Sequence, residues 1–337
     1  MNRQRIPDDV LTAAHERARA RAEGDWATAD RLRGEIEAAG WTIVDRGMDF
    51  ALSPSAPADV DEGERVRYGA SRNVPSLLDD PAVGLATVIL IATDWPEDIE
   101  RAVRALRGTS PDGASIVVVA DGPSDEAASA LEARGGDGVE VVWTSERLGQ
   151  GAAINIGIRR ASAPVVVLMD PSVEPTGDVI TPLVAALDDP TVAVAGGWGI
   201  TSTDLRNFED APAGDVDAIE GYLLAFRRSD AADRDPLDER FRFYRNLDIW
   251  WSLVLRDAGE GTEPRRAVRV ADVRAIRHDH RGWQSLPEDE RARQSKRNFY
   301  RIIDRFGSRR DLLVSERGKW PTSRSLPGSQ GDREAGS

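Results

Sequence analysis

Apolar residues recur at helical spacing near the start of the chain and in short unbroken runs further on. Over residues 25–39, DWATADRLRGEIEAA, the positions Trp26, Ala29, Leu32 or Arg33, Ile36 and Ala39 follow the helical period, and Gly40 stops it. Residues 7–23 predict a helix ahead of it. Pro7 suits a first turn, and Asp8 and Asp9 sit at the positive end of the dipole. WTIVDRGMDFAL then predicts a hairpin turning near Arg46–Gly47. Residues 1–52 thus read as a helical hairpin plus a β-ribbon. Residues 53–82 hold Pro, Ser, Asp and Gly without periodicity and predict a linker.

From Val83 the texture changes. VGLATVILIA, SIVVVA, VEVVW, PVVVLM and VAVAGG are β-rich runs, and helical segments at 97–107, 124–134 and 150–162 separate the first four. Strand–helix alternation with continuous apolar strands argues a two-sided α/β sheet, parallel over these strands. Ligands of such sheets bind at the carboxyl ends of the strands. The polar residues there are Thr93, Asp94, Asp121, Glu146 and Asp170. Beyond residue 200 the pattern loosens. EGYLLAFRR (220–228) predicts a strand and NLDIWWSLVLRDAG (246–259) a helix with a buried stripe of Ile249, Trp250, Leu253 and Val254. AVRVADVRAIRH (267–278) predicts one more strand, and 288–306 a last helix. Residues 83–314 form the main domain in this reading, and a disordered tail runs from Ser315 to Ser337.

Composition narrows the chemistry. The net charge of −14 disfavours general binding to phosphate backbones. The absence of Cys removes thiol nucleophiles, thiolate metal sites and disulfides. Three His, at 15, 278 and 280, are too few for a His-rich metal cluster. No run of 18 apolar residues suggests a membrane span, and MNRQRIPDDVL lacks a signal-peptide core, so a soluble cytoplasmic protein is expected.

Four segments occur in one order: VILIATDWPEDIERAVRAL, IVVVADGPSD, ERLGQGAAINIGIRRASAPVVVLMDPSVEP and DERFRFYRNLDIWWSLVLRDAG. Over roughly residues 84–305 the chain resembles a family 2 glycosyltransferase. The resemblance implies the GT-A fold, a Rossmann-like mixed sheet that binds a nucleotide-diphospho-sugar at its carboxyl edge. It implies an inverting transfer to an acceptor hydroxyl of a glycan, a lipid-linked molecule or a small molecule. A divalent cation (Mg²⁺ or Mn²⁺), weakly held without donor, would neutralise the diphosphate. By the same resemblance Thr93, Asp94 and Asp121 line the nucleotide site, and Asn155 and Gly157 shape the wall behind the diphosphate. Asp170 meets the ribose or the metal, and Glu220 lies near the acceptor pocket beside Gly221.

Three acids common in that family are replaced. Ala120 precedes Asp121 where two Asp are frequent. Asp170-Pro171-Ser172 stands for Asp-x-Asp, and Arg245-Asn246-Leu247-Asp248 stands where an acidic pair precedes another Asp. Asn246 takes no proton, so Asp248 is the expected base and Asp238 the fallback. Asp170, Ser172 and His280 are the expected cation ligands. Asp170 also reads as a plain strand-end acid, Asp121 as a turn former and Asp248 as a helix cap. Trp198 and Trp283 are candidate sugar platforms. The lost acids leave a second function open, a nucleotide-sugar-binding regulator of little or no activity.

The N-terminal GDWATADRLRGEIEAAGWTIVDRGMDFAL is similar to the small C-terminal helical region of cysteinyl-tRNA synthetases, where it helps with tRNA. None of the catalytic motifs of those enzymes is present. Residues 1–52 carry 8 Arg and 10 acids, a net of −2. An RNA-associated role through this hairpin is thus a third reading, with nucleic acid not expected as a partner.

Overall fold

A computed structural model of the chain describes residues 6–47, 49–92, 94–132, 138–259, 262–271 and 273–316. It divides into two compact units, Met1–Val74 with Trp143–Arg147, and Pro75–Val142 with Leu148–Ser337.

The first unit opens with α1 (Asp8–Ala22) and α2 (Trp26–Ala38), followed by β1 (Trp41–Arg46) and β2 (Asp49–Pro54). Pro7 precedes α1, and the Asp25 carboxylate caps α2 by accepting the Thr28 N–H at 3.1 Å. The hairpin pairs Trp41 with Pro54 through Arg46 with Asp49, so alternation drives Trp41 and Ile43 inward. They join Val10, Ala14 and Ile36 in a closed apolar cluster. Trp26, counted in the apolar period, instead stands 61% exposed at the first position of α2. Buried Arg17 donates to Asp45 at 2.7 Å, holding that carboxyl below its usual range. The segment expected as a linker is organised by polar contacts. β3 (Val60–Asp61) pairs with β4 (Val66–Tyr68), and Asp59 accepts from the Gly69 N–H and the Asn73 amide. Such contacts leave no hydrophobic period to read.

The second unit begins before Val83. Leu77 N–H donates to Arg159 and Val83 N–H to Ser162, and the buried Arg228 guanidinium donates to the carbonyls of Leu77, Asp80 and Ala161. Then come β5 (Ala86–Ala92), α3 (Pro96–Thr109), β6 (Ala114–Ala120), α4 (Asp125–Glu132), β7 (Val139–Thr144), α5 (Gln150–Arg160) and β8 (Val165–Met169). The predicted end of α4 at 133–134 lies outside the described residues. Next are β9 (Val173–Pro175), α6 (Ile180–Leu187), β10 (Val192–Gly196), β11 (Gly199–Ser202), β12 (Phe208–Ala211), β13 (Gly214–Val216) and β14 (Ala218–Ile219). The unit closes with β15 (Leu223–Arg227), α7 (Arg228–Ala232), α8 (Leu247–Arg256), β16 (Arg266–Arg269), β17 (Ala275–Arg277), α9 (Arg281–Gln284) and α10 (Glu288–Phe306).

The main sheet runs β13-β16-β10-β15-β8-β5-β6-β7. β5 is parallel to β6 and β8, while β15 runs antiparallel between β8 and β10, so the sheet is mixed. Helices α5 and α8 pack on it, and buried Trp251 meets Phe226 of β15 edge-on, with ring centres 5.7 Å apart. Two predicted strands are corrected. Residues 267–278 form two strands in different sheets, β16 beside β10 and β17 beside β9, because the chain leaves the sheet after Val270. The run 220–228 becomes strand only at Leu223, leaving Glu220 to Tyr222 in the turn at the sheet edge. Of the expected tail, residues 317–337 lie outside the described residues.

Candidate active site

β8 is buried along its whole length and delivers Asp170 to its carboxyl end. The backbone N–H of Asp170 donates to the Tyr222 carbonyl. Its Oδ1 accepts from Ser172 twice, from the N–H at 2.8 Å and from the hydroxyl at 2.5 Å. Its Oδ2 lies 3.0 Å from His280 Nε2. Burial alone raises this carboxyl, but His280 and Ser172 outweigh it and hold Asp170 below the usual carboxylate range. Burial likewise lowers His280, yet the hydrogen bond and charge of Asp170 lift it above its ordinary value. The ring is fixed on three sides. Tyr244 stacks on it at 4.1 Å, Asp170 holds Nε2, and Nδ1 accepts the Trp283 N–H at 3.1 Å. When neutral, the imidazole therefore keeps its proton on Nε2. The His280 turn is anchored next to β5 by Arg281, which pairs with Glu97 and with Asp98 of α3.

A second acidic group faces the same edge. Asp248 lies in the first turn of α8, whose N-cap Asn246 adopts a left-handed backbone, φ 66°. Asp248 Oδ2 accepts the Gly221 N–H at 2.8 Å, and Oδ1 accepts from Ile249. Burial pushes Asp248 above the usual carboxylate range. Glu220 is raised too, by burial first and by the Asp248 charge, although Arg277 pulls it back from 3.6 Å. The Arg277 guanidinium also covers Tyr222 and Trp198, at 4.5 and 5.2 Å from their ring centres. Burial, with Asp170 beyond it, drives the Tyr244 phenol far up, so it stays neutral. One sheet edge thus carries an acid held below the usual carboxylate range and two acids held above it.

Asp170, Ser172, His280, Glu220 and Asp248 are brought together. Asp94 is exposed directly after β5, and Thr93 lies outside the described residues. Asp121 is 2% exposed, and its two oxygens accept the N–H groups of Leu148 and Gly149, so it shapes the loop before α5. Asn155 is buried against 237–239, donating to the Leu237 carbonyl and Glu239 and accepting from Leu237 N–H. Gly157 packs on β5, where an added Cβ would meet Ile89 Cγ2 at 2.4 Å. Asp238 is bound by Arg240 at 2.7 Å, with Arg301 at 4.0 Å, and sits below its usual range, a poor setting for a base. Tyr244 and Arg277 were not singled out from sequence. No spacing marks them, because their roles arise from ring stacking across distant loops.

Residues 87–243 match the family described as Glycosyl transferase family 2. The chain carries a family 2 glycosyltransferase domain. Its fold is similar to GalNAc-T7, solved with UDP, GalNAc and Mn²⁺, at TM-score 0.54 and 16% identity over 68% of this chain and 50% of that one. It is also similar to the mannosyltransferase PcManGT from Pyrobaculum calidifontis, solved with GDP-Man and Mn²⁺, at TM-score 0.50 and 20% identity over 71% of each chain. The mixed sheet is that of a GT-A glycosyltransferase. A short stretch is 52% identical over 57 residues to Cysteine--tRNA ligase 1 of Burkholderia lata, spanning 15% of this chain and 12% of the ligase. A second ligase, from Opitutus terrae, is 44% identical over 50 residues, 11% of its length. These short matches fit the N-terminal resemblance. Among the described residues, no three His, Asp or Glu side chains converge as a ready metal cage, and no helix is long and apolar enough to cross a membrane.

Proposed function

We propose that the chain transfers a sugar from a nucleotide-sugar donor to an acceptor hydroxyl, with inversion at the anomeric carbon. The carrying observation is the split among carboxylates at one sheet edge, Asp170 held ionised and Asp248 and Glu220 held high. Acids pushed apart in this way suit different tasks. The Asp170 carboxylate and the Ser172 hydroxyl are hard oxygen donors and fit a divalent cation shared with the donor diphosphate. Such an ion, when bound, neutralises charge on the departing diphosphate. His280 fits less well as a ligand, because its Nε2 carries the proton while Trp283 occupies Nδ1. It serves instead to orient Asp170.

Asp248 is the proposed base. Gly221 fixes one of its oxygens, and its raised pKa strengthens it as a proton acceptor. As the acceptor oxygen bonds to the anomeric carbon, its proton passes to Asp248. The bond from that carbon to the phosphate oxygen breaks, and its electron pair leaves with the nucleoside diphosphate. Trp198 and Tyr222, pinned by Arg277, offer an aromatic wall to the sugar. The UDP and GDP-Man of the two structural neighbours support this class of donor.

A thermal-shift screen of nucleotide-sugars, with and without Mn²⁺, followed by turnover on hydroxyl acceptors, tests the reading. Stabilisation by one donor in Mn²⁺ is expected, and no response to any nucleotide-sugar rejects it. One observation favours a second reading, a binding protein without turnover. Asn246 stands at a position where the family commonly has an acid, and its amide turns to the Ser295 carbonyl and hydroxyl on α10. Tight donor binding with no transfer would select that reading.

A further inference from the structure

An open cavity of about 630 Å³ lies between the start of α8, the α9 turn and the first half of α10. Four cations line it, Arg206, Arg245, Arg291 and Lys296, against one acid, Glu288. Trp283 forms part of its wall, with the Arg245 and Arg291 guanidinium carbons 5.5 and 5.0 Å from its ring centre. Nearby arginines are neutralised: Arg240 by Asp238, Arg277 by Glu220, Arg281 by Glu97 and Arg293 by Glu290. Among the described residues no ion pair engages the four cavity cations, and Arg291 Nε is buried without a hydrogen-bond partner.

Four like charges around one cavity repel each other. In a chain of net charge −14, acids to quench them were plentiful, yet one is present. Guanidinium forks and an ammonium match the oxygens of phosphate or carboxylate. The cavity is also next to the chemistry. Its lining residue Asn246 opens α8 two positions before Asp248, and Trp283 fixes the His280 ring.

We propose that this cavity binds a phosphate or carboxylate group of the acceptor and so presents the acceptor hydroxyl toward Asp248. The proposal rests on the glycosyltransferase reading for the acceptor's role, but the anion site is measurable without it. Calorimetric titration of the full chain with phenyl phosphate in EDTA, with benzyl alcohol as the neutral control, tests it. Saturable binding of the phosphate alone is expected. The double variant Arg291→Gln/Lys296→Gln should weaken that binding at least tenfold while its melting temperature and its nucleotide-sugar binding in Mn²⁺ stay as in the wild type. Equal phosphate binding by both proteins, or equal binding of benzyl alcohol, overturns the proposal. Phosphatidylcholine vesicles with and without phosphatidic acid separate the sources. Retention on the anionic vesicles, lost in the double variant, assigns the phosphate to a lipid, and phenyl phosphate binding without retention assigns it to a soluble acceptor. Phosphate binding without any nucleotide-sugar binding keeps the anion site and removes the transferase reading. Nucleotide-sugar binding without phosphate binding does the reverse.

Discussion

His280 Nε2 and Asp170 Oδ2 stand 3.0 Å apart, and each shifts the other toward its charged form. The pair joins the end of β8 to the turn before α9, two segments more than a hundred positions apart in the chain. It makes Asp170 a fixed anion at the sheet edge rather than a strand-end acid free to rotate.

Asp170→Ala should fold and should lose the donor-dependent, Mn²⁺-dependent gain in melting temperature. At about 100 Kd of donor that gain corresponds to about 2.7 kcal/mol. Unchanged nucleotide-sugar affinity in the variant removes Asp170 from the site. His280→Gln separates positioning from ligation. The raised pKa of His280 contributes stability below its unfolded value, and that contribution fades as pH rises through the folded value. The stability gap between wild type and His280→Gln should therefore narrow on going from mildly acidic to alkaline buffer. A gap independent of pH contradicts the pairing.

Asp248→Asn should keep donor binding and lose about 10²–10⁴-fold in kcat, the usual range for a general base. Glu220→Gln should lose much less, since Arg277 already engages that carboxylate. Stability gives a check that needs no acceptor. Burial raises the folded pKa of Asp248, so its contribution is full below the unfolded carboxylate value and is lost as pH rises through the raised value. The neutral Asn variant escapes that loss and still accepts from Gly221. Its melting temperature relative to wild type should climb from acidic to neutral pH. A flat difference, or wild-type turnover, rejects the assignment.

The fold was legible where apolar patterning dictated it. The fully buried runs of β5, β6 and β8, with helices between them, specify the α/β core and put Asp170 at a strand end without reference to any relative. The period of α10 reads from Glu288 to Phe306 in sequence and structure alike. What stayed hidden is set by contacts across the chain. Asp121 occupies a strand end like Asp170, but its oxygens are consumed by the Leu148 and Gly149 backbone. Gly157, expected to shape the wall behind the diphosphate, packs closely on Ile89, a contact across elements that its place in the sequence does not announce. The break between β16 and β17 keeps apolar residues at short intervals, Val270, Ala271 and Val273, so nothing local announces it. The cavity cations come from three separate stretches, around Arg206, around Arg245 and on α10, that only the folded chain brings together.

Arg228 offers a test of where the second unit begins. It is 8% exposed and donates to four carbonyls on the approach to β5 and after α5, at Leu77, Asp80, Ala161 and Ser162. Arg228→Met keeps most of the volume and leaves those carbonyls without their donor. A loss of roughly 2–4 kcal/mol is expected, given the cost of unsatisfied buried acceptors. Chemical denaturation reads it directly, and a loss below about half a kcal/mol would show that residues 77–80 hold their place without the clamp.

The N-terminal hairpin supplies the last prediction. Val10, Ala14, Ile36, Trp41 and Ile43 close a core of their own, and Arg17 ties α1 to β1 through Asp45. A segment that buries its apolar face internally does not need the transferase domain to cover it. Cutting at residue 54 spares the β3–β4 pair and leaves Arg65 and Arg67 over the Trp143 ring, at 4.5 and 5.3 Å from its centre. The chain from residue 55 onward is therefore expected to be soluble and to melt cooperatively within about 4 °C of the full chain, a shift that corresponds to about 1–2 kcal/mol for a domain of 150–250 residues. It should also keep the donor-induced thermal shift. Residues 1–54 made alone should show helical circular dichroism that Arg17→Met weakens. An insoluble remainder, or one without a cooperative transition, would mean that the hairpin's outer surface, Trp26 included, is part of the transferase fold.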